Sequence, residues 1–212
     1  FEMDIIADAT GSASVTMGST KALAWVSGPK EGKGRNDLKG NLKCKFSLAA
    51  FSTYIRKKEY KRDLKMREFS KTLKDIFDQI IILENYPKWD IELNVLILES
   101  DGGYKSAAIN AASLALISSG IFMKDTVVSS NVGIHDNQSI FDLINQEEKF
   151  NIPVLNVAYM PHQKKFIYVE LLNAKSPYDN ANLFLNSGEE ACGLVYDKME
   201  NFLKFEYLKQ RN

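Results

Sequence analysis

The pattern of hydrophobic and polar residues is β-like in the first part of the chain. Two β-prone runs, residues 13–17 and 22–27, flank the turn residues Gly18-Ser19-Thr20 and predict a hairpin. Gly28-Pro29 is expected to end the second strand, because proline has no N–H to donate. A third strand is predicted around residues 42–52, after a polar loop that is rich in glycine.

Two later segments have the spacing of helices. Between residues 63 and 83, apolar residues recur every three or four positions, which predicts an amphipathic helix that ends before Tyr86-Pro87. Residues 107–117 carry Ala, Ser and Leu on every face, so this stretch is predicted to be a helix buried against a sheet. Gly120 is its expected C-cap.

The rest of the chain combines further strands with a closing helix. This helix is predicted to begin at Ser187, which forms a capping box with Glu190, and to bury a stripe from Cys192 to Leu203. No break in composition divides the chain, so residues 1–212 are predicted to form one α+β domain. The remaining strands are predicted at residues 91–98, 126–135, 153–160 and 165–171.

Composition and charge are those of a globular protein. The 212 residues are 45% hydrophobic and 25% charged, which is close to globular averages and sufficient for a sizeable core. Lys and Arg total 27, as do Asp and Glu, so the formal net charge is zero. That balance excludes a uniformly basic or acidic surface, but it does not describe how the charges are distributed.

Disulfide, metal and membrane-spanning classes are not indicated. Cys44 and Cys192 lie far apart and outside any CxxC pair, so both are expected to be reduced, buried thiols of an intracellular protein. His135 and His162 fall in separate predicted turns without a partner at ligand spacing. The apolar runs fall well short of the roughly 20 residues that cross a bilayer. The chain starts at Phe1 without an initiator Met or a signal-peptide layout, so a leading segment is expected to be missing.

The basic residues are concentrated near the start of the first predicted helix. Cations at a helix N-terminus oppose its dipole, and phosphate would offset that cost. Contact with a phosphate backbone and a solvated basic loop both remain open from these residues alone. The cations are Arg56, Lys57, Lys58, Lys61, Arg62, Lys65 and Arg67.

The turn Ser100-Asp101-Gly102-Gly103 is a second candidate for anion binding. Its glycines follow a predicted strand and open a helix, where backbone N–H groups can meet an anion. The pattern is neither a P-loop nor GxGxxG, so a plain turn is the alternative.

Several segments, in this order, resemble the RNase PH family. Gly11-Ser12-Ala13, Gly18-Ser19-Thr20-Lys21 and Gly28-Pro29-Lys30-Glu31 are similar to the family's opening hairpin. The match is collinear over nearly the whole chain, without the usual DGR-containing N-terminal extension. It is most similar to the eukaryotic exosome ring subunits that correspond to the catalytic RNase PH-like subunit of the archaeal exosome. The central signature is matched by Tyr86-Pro87, Asp101-Gly102-Gly103, residues 109–116 and residues 120–125.

The resemblance implies a fold, an assembly and an activity. The fold is the RNase PH fold, which is like domain 2 of ribosomal protein S5 and has two βαβα-like halves. The assembly is a six-membered ring of RNase PH-type subunits that S1/KH proteins cap. Active members phosphorolyse RNA from its 3′ end, when inorganic phosphate attacks the terminal phosphodiester and releases a nucleoside diphosphate. Such a reaction needs cations around the phosphate and an acid for the leaving oxygen, and no metal or other cofactor is implied.

The positions that carry this chemistry in the family are altered here. The family holds phosphate with Thr-Arg or a close variant after the Gly-Gly turn, whereas this chain has Tyr104 and Lys105. Lysine keeps the charge but lacks the bidentate fork of arginine. Glu147 and Glu148 correspond to the family's acidic pair, but Val154 stands where an Asp should follow, and valine cannot exchange a proton. The resemblance therefore implies a degenerate site without catalytic residues.

The implied function is a non-catalytic ring subunit that guides single-stranded RNA to an associated hydrolytic nuclease. An active phosphate-dependent 3′-to-5′ exoribonuclease is the alternative. In active relatives, arginines near the start of the first long helix line the RNA channel, and those positions are Leu64 and Lys65 here. The expected partners are other RNase PH-like ring subunits, S1/KH cap proteins, the nuclease and RNA, in the nucleus, nucleolus and cytoplasm. The candidate RNA-binding residues are Lys30, Arg56, Lys57, Lys58, Lys61, Arg62 and Lys65.

Overall fold

The computed structural model describes residues 1–32, 39–52, 64–135, 138–148, 150, 152–174 and 181–211. In its first half, these ranges contain five strands, two α-helices and a short 3-10 helix at Leu83–Asn85. The strands are β1 (Glu2–Met3), β2 (Gly11–Met17), β3 (Thr20–Glu31), β4 (Asn41–Leu48) and β5 (Trp89–Glu99). The helices are α1 (Leu64–Ile80) and α2 (Tyr104–Ser118).

The described part of the second half has four strands and two helices. The strands form one antiparallel sheet in the order β7-β6-β8-β9, and the first half forms a separate sheet in the order β1-β2-β3-β5-β4. The strands are β6 (Val128–His135), β7 (Gln138–Phe141), β8 (Val154–Met160) and β9 (Lys165–Leu172), and the helices are α3 (Asn145–Glu148) and α4 (Ala181–Arg211).

The first sheet is built around the predicted hairpin of β2 and β3, which pair from Gly11 opposite Val26 to Met17 opposite Thr20. β5 lies between β3 and β4, antiparallel to the first and parallel to the second. The parallel pair is connected through α1, as a crossover requires. With α2 after β5, this half has the expected βαβα order, and the second half places β7, α3, β8, β9 and α4 in succession. The α+β class is confirmed.

The two predicted helices of the first half are confirmed, and their burial explains their patterns. α1 buries one face only, through Phe69, Leu73, Ile76, Phe77 and Ile80. α2 packs on β2 and β3 of one sheet and on β6 of the other, so every residue from 106 to 116 is buried. Gly120 follows α2 with a φ of +69°, which suits a helix C-cap.

Two strand boundaries predicted from turn residues are wrong. β3 does not end at Gly28-Pro29, because the ladder to β5 shifts its register there and resumes with Lys30 opposite Asp90. A bulge of this kind accommodates a proline without an N–H. β4 ends at Leu48 rather than near residue 52, because the chain then turns and Ser52 N donates to the Ala49 carbonyl at 2.9 Å.

The capping box predicted at Ser187 is also wrong. α4 begins at Ala181, so Ser187 lies inside the helix and is buried. The extra first turns are held by Phe184, which is 5% exposed and packs in a cluster with Leu155 and Val157 of β8. Of the predicted buried stripe, Cys192 and Met199 are fully buried.

The two thiols are free, with Cys44 partly buried and Cys192 buried. Burial raises the pKa of each to about 12, so both stay protonated near neutral pH. His162 Nε2 lies 3.3 Å from the Tyr196 hydroxyl. Among the described residues, no cluster of three His, Cys, Asp or Glu side chains could hold a metal ion. No helix in the same ranges is long and apolar enough to cross a membrane.

Candidate functional site

A cavity of about 540 Å³ opens between the N-terminal ends of α1 and α2 and the strands β8 and β9. It lies where the two halves of the chain meet, so residues far apart in sequence share its walls. Five positions predicted from the sequence line it. They are Lys65, Tyr104, Lys105, Glu148 and Val154.

The Gly102-Gly103 turn sets the entry of α2 into this cavity. Both glycines have positive φ, at 95° and 55°. A Cβ on Gly102 would lie 2.3 Å from the Leu143 carbonyl oxygen, so only glycine lets the segment before α3 approach this closely. Thr20 secures the turn from β3, because its hydroxyl donates to the Gly102 carbonyl at 2.7 Å and accepts from Asp101 N at 2.9 Å.

Glu148 already supplies an anion at the N-terminus of α2. Its Oε1 accepts hydrogen bonds from Gly103 N at 3.0 Å and from Asn131 Nδ2 at 3.3 Å. A carboxylate at this end of a helix is favoured by the helix dipole. The glycine turn therefore does bind an anion, and that anion is the Glu148 carboxylate of the same chain.

The structure separates the two members of the predicted acidic pair. Glu147 lies outside the cavity lining and turns back on its own segment, where Oε2 accepts a hydrogen bond from Ile144 N at 2.9 Å. Only Glu148 faces the cavity. The backbone spacing explains this, because neighbouring residues of a helical turn point in different directions.

Lys105 is held in an ion pair with Glu170 of β9. Its Nζ lies 2.7 Å from Oε1 and 2.6 Å from Oε2, and the side chains of the two residues are only 20% and 27% exposed. Asn156 Nδ2 donates to the same carboxylate at 3.1 Å, and Lys105 also lies over the Phe69 ring, 5.9 Å from its centroid. The cation predicted to hold phosphate therefore has an anionic partner inside the protein.

The surroundings of Glu170 keep its carboxylate ionised. Burial alone would raise its pKa, but hydrogen bonds and charge from Lys105, with hydrogen bonds from Tyr168 and Asn156, outweigh burial and hold the pKa below its usual value. The same environment raises the pKa of Tyr168, through its burial and the Glu170 charge. The carboxylate is thus kept ionised and the phenol protonated.

Tyr104 places an aromatic ring, and Val154 an aliphatic side chain, at two of the altered positions. The Tyr104 ring stacks on Phe46 at 6.1 Å and meets Phe69 edge-on at 6.3 Å between centroids. It therefore extends an aromatic cluster rather than placing a small hydroxyl at the start of α2. Val154 is 4% exposed and begins β8 between Gly133 and Leu172. An apolar wall stands where the family's Asp was expected.

The ionic side chains that line the cavity do not give it a positive charge. The described lining contains two cations, Lys65 and Lys105, and three carboxylates, Glu68, Glu148 and Glu170. An incoming phosphate would meet more negative than positive charge among these residues.

Of the other predicted RNA contacts, Lys30 is the one that lies among the described residues. Lys30 is exposed on β3 opposite Asp90, and it is absent from the lining. Leu64, at the second channel position, is 70% exposed. Arg56, Lys57, Lys58, Lys61 and Arg62 lie outside the described residues.

Sequence reasoning missed three residues that organise the cavity, namely Asn131, Asn156 and Glu170. Asn131 is 1% exposed, and its Oδ1 has no hydrogen-bond partner among the described residues. Asn156 and Glu170 face each other in the β8–β9 ladder. A signal was present for Asn156 and Glu170, because each is a polar residue inside a β-prone apolar run, and such residues require a partner when they are buried. Asn131 follows Ser129 and Ser130, so the pattern did not single it out.

Known proteins resemble the chain in sequence over most of its length. The model of the 3′ exoribonuclease family, domain 1, matches residues 1–122. Exosome complex component Rrp41 of Pyrobaculum islandicum is 33% identical over 207 residues, which cover 96% of this chain and 84% of that protein. Exosome complex component RRP41 of Homo sapiens is 32% identical over 206 residues, with coverages of 95% and 84%.

Solved structures agree with the sequence matches. Rice Rrp46 superposes with a TM-score of 0.83 at 25% identity, over 96% of this chain and 92% of that one. A chain of the Archaeoglobus fulgidus exosome, solved with RNA bound to the active site, shares the fold with a TM-score of 0.77 at 18% identity, over 93% and 86% of the two chains. The family match and the identity to these relatives agree with the order of the sequence motifs, and this chain belongs to the RNase PH family of 3′ exoribonucleases.

Proposed function

We propose that this chain is a non-catalytic RNase PH-like subunit of an exosome core ring. It scaffolds the ring and lines the channel that guides single-stranded RNA to an associated hydrolytic nuclease. Its similarity to exosome components over 96% of the chain supports the assembly. The altered residues of the cavity support the loss of phosphorolytic activity.

The observation that carries the proposal is the replacement of an acid by Val154 in a cavity where Lys105, at the family's phosphate-binding position, is already paired. Phosphorolysis needs a proton for the leaving oxygen and a cation for the attacking phosphate. Val154 cannot exchange a proton, and Lys105 lies within 2.7 Å of both Glu170 oxygens. The family's positions for the acid and for the phosphate-binding cation are therefore both altered at the same site.

The test is phosphate-dependent release of nucleoside diphosphate from the 3′ end of a labelled single-stranded RNA. We expect none from the isolated chain or from the ring that contains it, while an active RNase PH-family enzyme serves as the positive control. Release that disappears in Lys105→Gln or Glu148→Gln would overturn the proposal.

An active phosphorolytic exoribonuclease is the second candidate, and Glu148 is the observation that favours it. Its carboxylate lies in the cavity, 3.0 Å from Gly103 N, so one acid of the family's set is retained there. The two candidates differ in the parent, which shows phosphate-dependent release only if it is active, and that release should then be lost in Glu148→Gln.

RNA guidance through the channel is assigned to Lys65, because it is exposed on α1 and lines the cavity. We expect Lys65→Gln to weaken RNA protection in the assembled complex. The plot of log affinity against log salt should become less steep by about 0.7, as for one lost contact to a single strand. Arg67→Gln is the matched control, since Arg67 is exposed on the same helix but absent from the described lining. Equal effects of the two variants would contradict the assignment.

The proposal extends to partners and location. The chain is expected to assemble with other RNase PH-like ring subunits, S1/KH cap proteins and a hydrolytic nuclease, in the nucleus, nucleolus and cytoplasm. The likeness to exosome components in sequence supports other exosome subunits as partners. Purification of a tagged chain with its partners, and imaging of the same tag, test the two parts separately.

A further inference from the structure

We propose that Glu170, which occupies the Lys105 ammonium, is a built-in competitor for inorganic phosphate. This inference rests on the proposed non-catalytic function. It attributes part of the loss of phosphate binding to one carboxylate, which a single substitution can neutralise. It predicts that neutralising one carboxylate, without touching any residue that would hold phosphate, opens the site to inorganic phosphate.

The contacts of Glu170 are those that a bound anion would make. Both oxygens lie within 2.7 Å of Lys105 Nζ, and Oε2 also accepts from Asn156 Nδ2 at 3.1 Å. Charge-assisted hydrogen bonds of this length are the strong class, and the partly buried setting limits competition from water. A phosphate oxygen would have to displace the carboxylate to reach the ammonium.

The backbone fixes the competitor in place. Glu170 lies in β9, where it pairs with Asn156 of β8, so it approaches Lys105 from a regular ladder and not from a loop. Lys105 is constrained from its other side, because it sits in the first turn of α2 and over the Phe69 ring. The ion pair therefore joins the two halves of the chain across the cavity.

The other two carboxylates of the lining do not have this role. Glu148 is engaged by Gly103 N and Asn131 Nδ2. Glu68 belongs to α1, and neither residue is within ion-pair distance of Lys105. Glu170 is the carboxylate of the described lining whose removal frees a cation.

The experiment is a titration of the complete chain with inorganic phosphate, in which amide NMR shifts give the dissociation constant. Glu170→Gln keeps the size of the side chain and an oxygen for Asn156, but it removes the charge that holds Lys105. We expect its affinity for phosphate to exceed that of the parent by about tenfold or more, as for a close charge pair.

Two matched variants separate competition from a general change in charge. Glu68→Gln removes the same charge from the same cavity and should change the affinity by less than about threefold, since screened charges at a distance matter little. Lys105→Gln combined with Glu170→Gln should lose the gain altogether. Equal affinities of Glu170→Gln and Glu68→Gln, or a gain that survives without Lys105, would overturn the proposal.

A measurement on the parent avoids dependence on the folding of Glu170→Gln. Because Lys105 is held by Glu170, the side-chain ammonium signal of Lys105 should not shift when the parent is titrated with inorganic phosphate. A shift with the same dissociation constant as the amide signals would show that phosphate reaches Lys105 and that Glu170 does not compete. The proposed function is tested separately, by phosphorolysis in the parent.

Discussion

Gly102→Ala is expected to disrupt the site by separating α2 from the segment that carries Glu148. The new Cβ would lie 2.3 Å from the Leu143 carbonyl oxygen, whereas ordinary contacts begin at 3.4 Å, so the two segments must move apart by about 1 Å. The hydrogen bond from Asn145 N to the Asp101 carbonyl, at 2.9 Å, spans the same gap and should weaken. Positive φ adds about 1–2 kcal/mol and the clash about 1–3 kcal/mol, which predicts a loss of about 2–5 kcal/mol in unfolding free energy.

Gly103→Ala and Gly120→Ala are the controls for this prediction. Both glycines have positive φ, but a Cβ on Gly103 would meet its nearest atom at 3.6 Å and one on Gly120 would meet nothing within 4 Å. Each should therefore lose only the strain, about 1–2 kcal/mol. Urea unfolding of the three variants measures the difference. A loss for Gly102→Ala no greater than for Gly103→Ala would refute the reasoning.

Three further predictions concern the cavity and the core. Val154→Asp alone should leave phosphate-dependent release from RNA undetectable, because Lys105 stays paired, and release by this variant would contradict that view. Because folding lowers the pKa of Glu170, its stabilising effect is present above the ordinary value of 4.5 and is lost as the pH falls below it. Glu170→Gln should therefore flatten the acid side of a plot of urea midpoint against pH, and an unchanged plot would argue against it. Phe77→Ala should lose about 3–5 kcal/mol in urea unfolding, against less than about 0.5 kcal/mol for Phe122→Ala, since these side chains are 0% and 63% exposed; similar losses would contradict the core assignment.

The helices of the first half could be predicted because the burial of each helix shows directly in the spacing of its own apolar residues. One buried face of α1 gives a helical period, and burial of α2 on every side gives an apolar run. The start of α4 was predicted too late because only the local capping signal at Ser187 was considered. Packing of Phe184 on β8 stabilises the turns before it, and this contact is not visible in the local sequence. The short elements β7 and α3 were not predicted, since four residues carry too little period to detect.

The membership of the cavity could be predicted only in part. The family resemblance indicated Lys105, Glu148 and Val154, and the structure brings them together. The Lys105–Glu170 pair could not be foreseen, because its partners are 65 residues apart and meet through the pairing of β8 with β9. The register of that ladder depends on packing between the two halves, which a local pattern does not specify.

We propose that this chain contributes no phosphorolytic centre to its ring. The most direct measurement is the release of nucleoside diphosphate from 3′-labelled single-stranded RNA by the assembled ring, with and without inorganic phosphate. We expect no phosphate-dependent release, because Val154 offers no proton and Lys105 is held by Glu170. Phosphate-dependent release that disappears when Lys105 or Glu148 is replaced would contradict it.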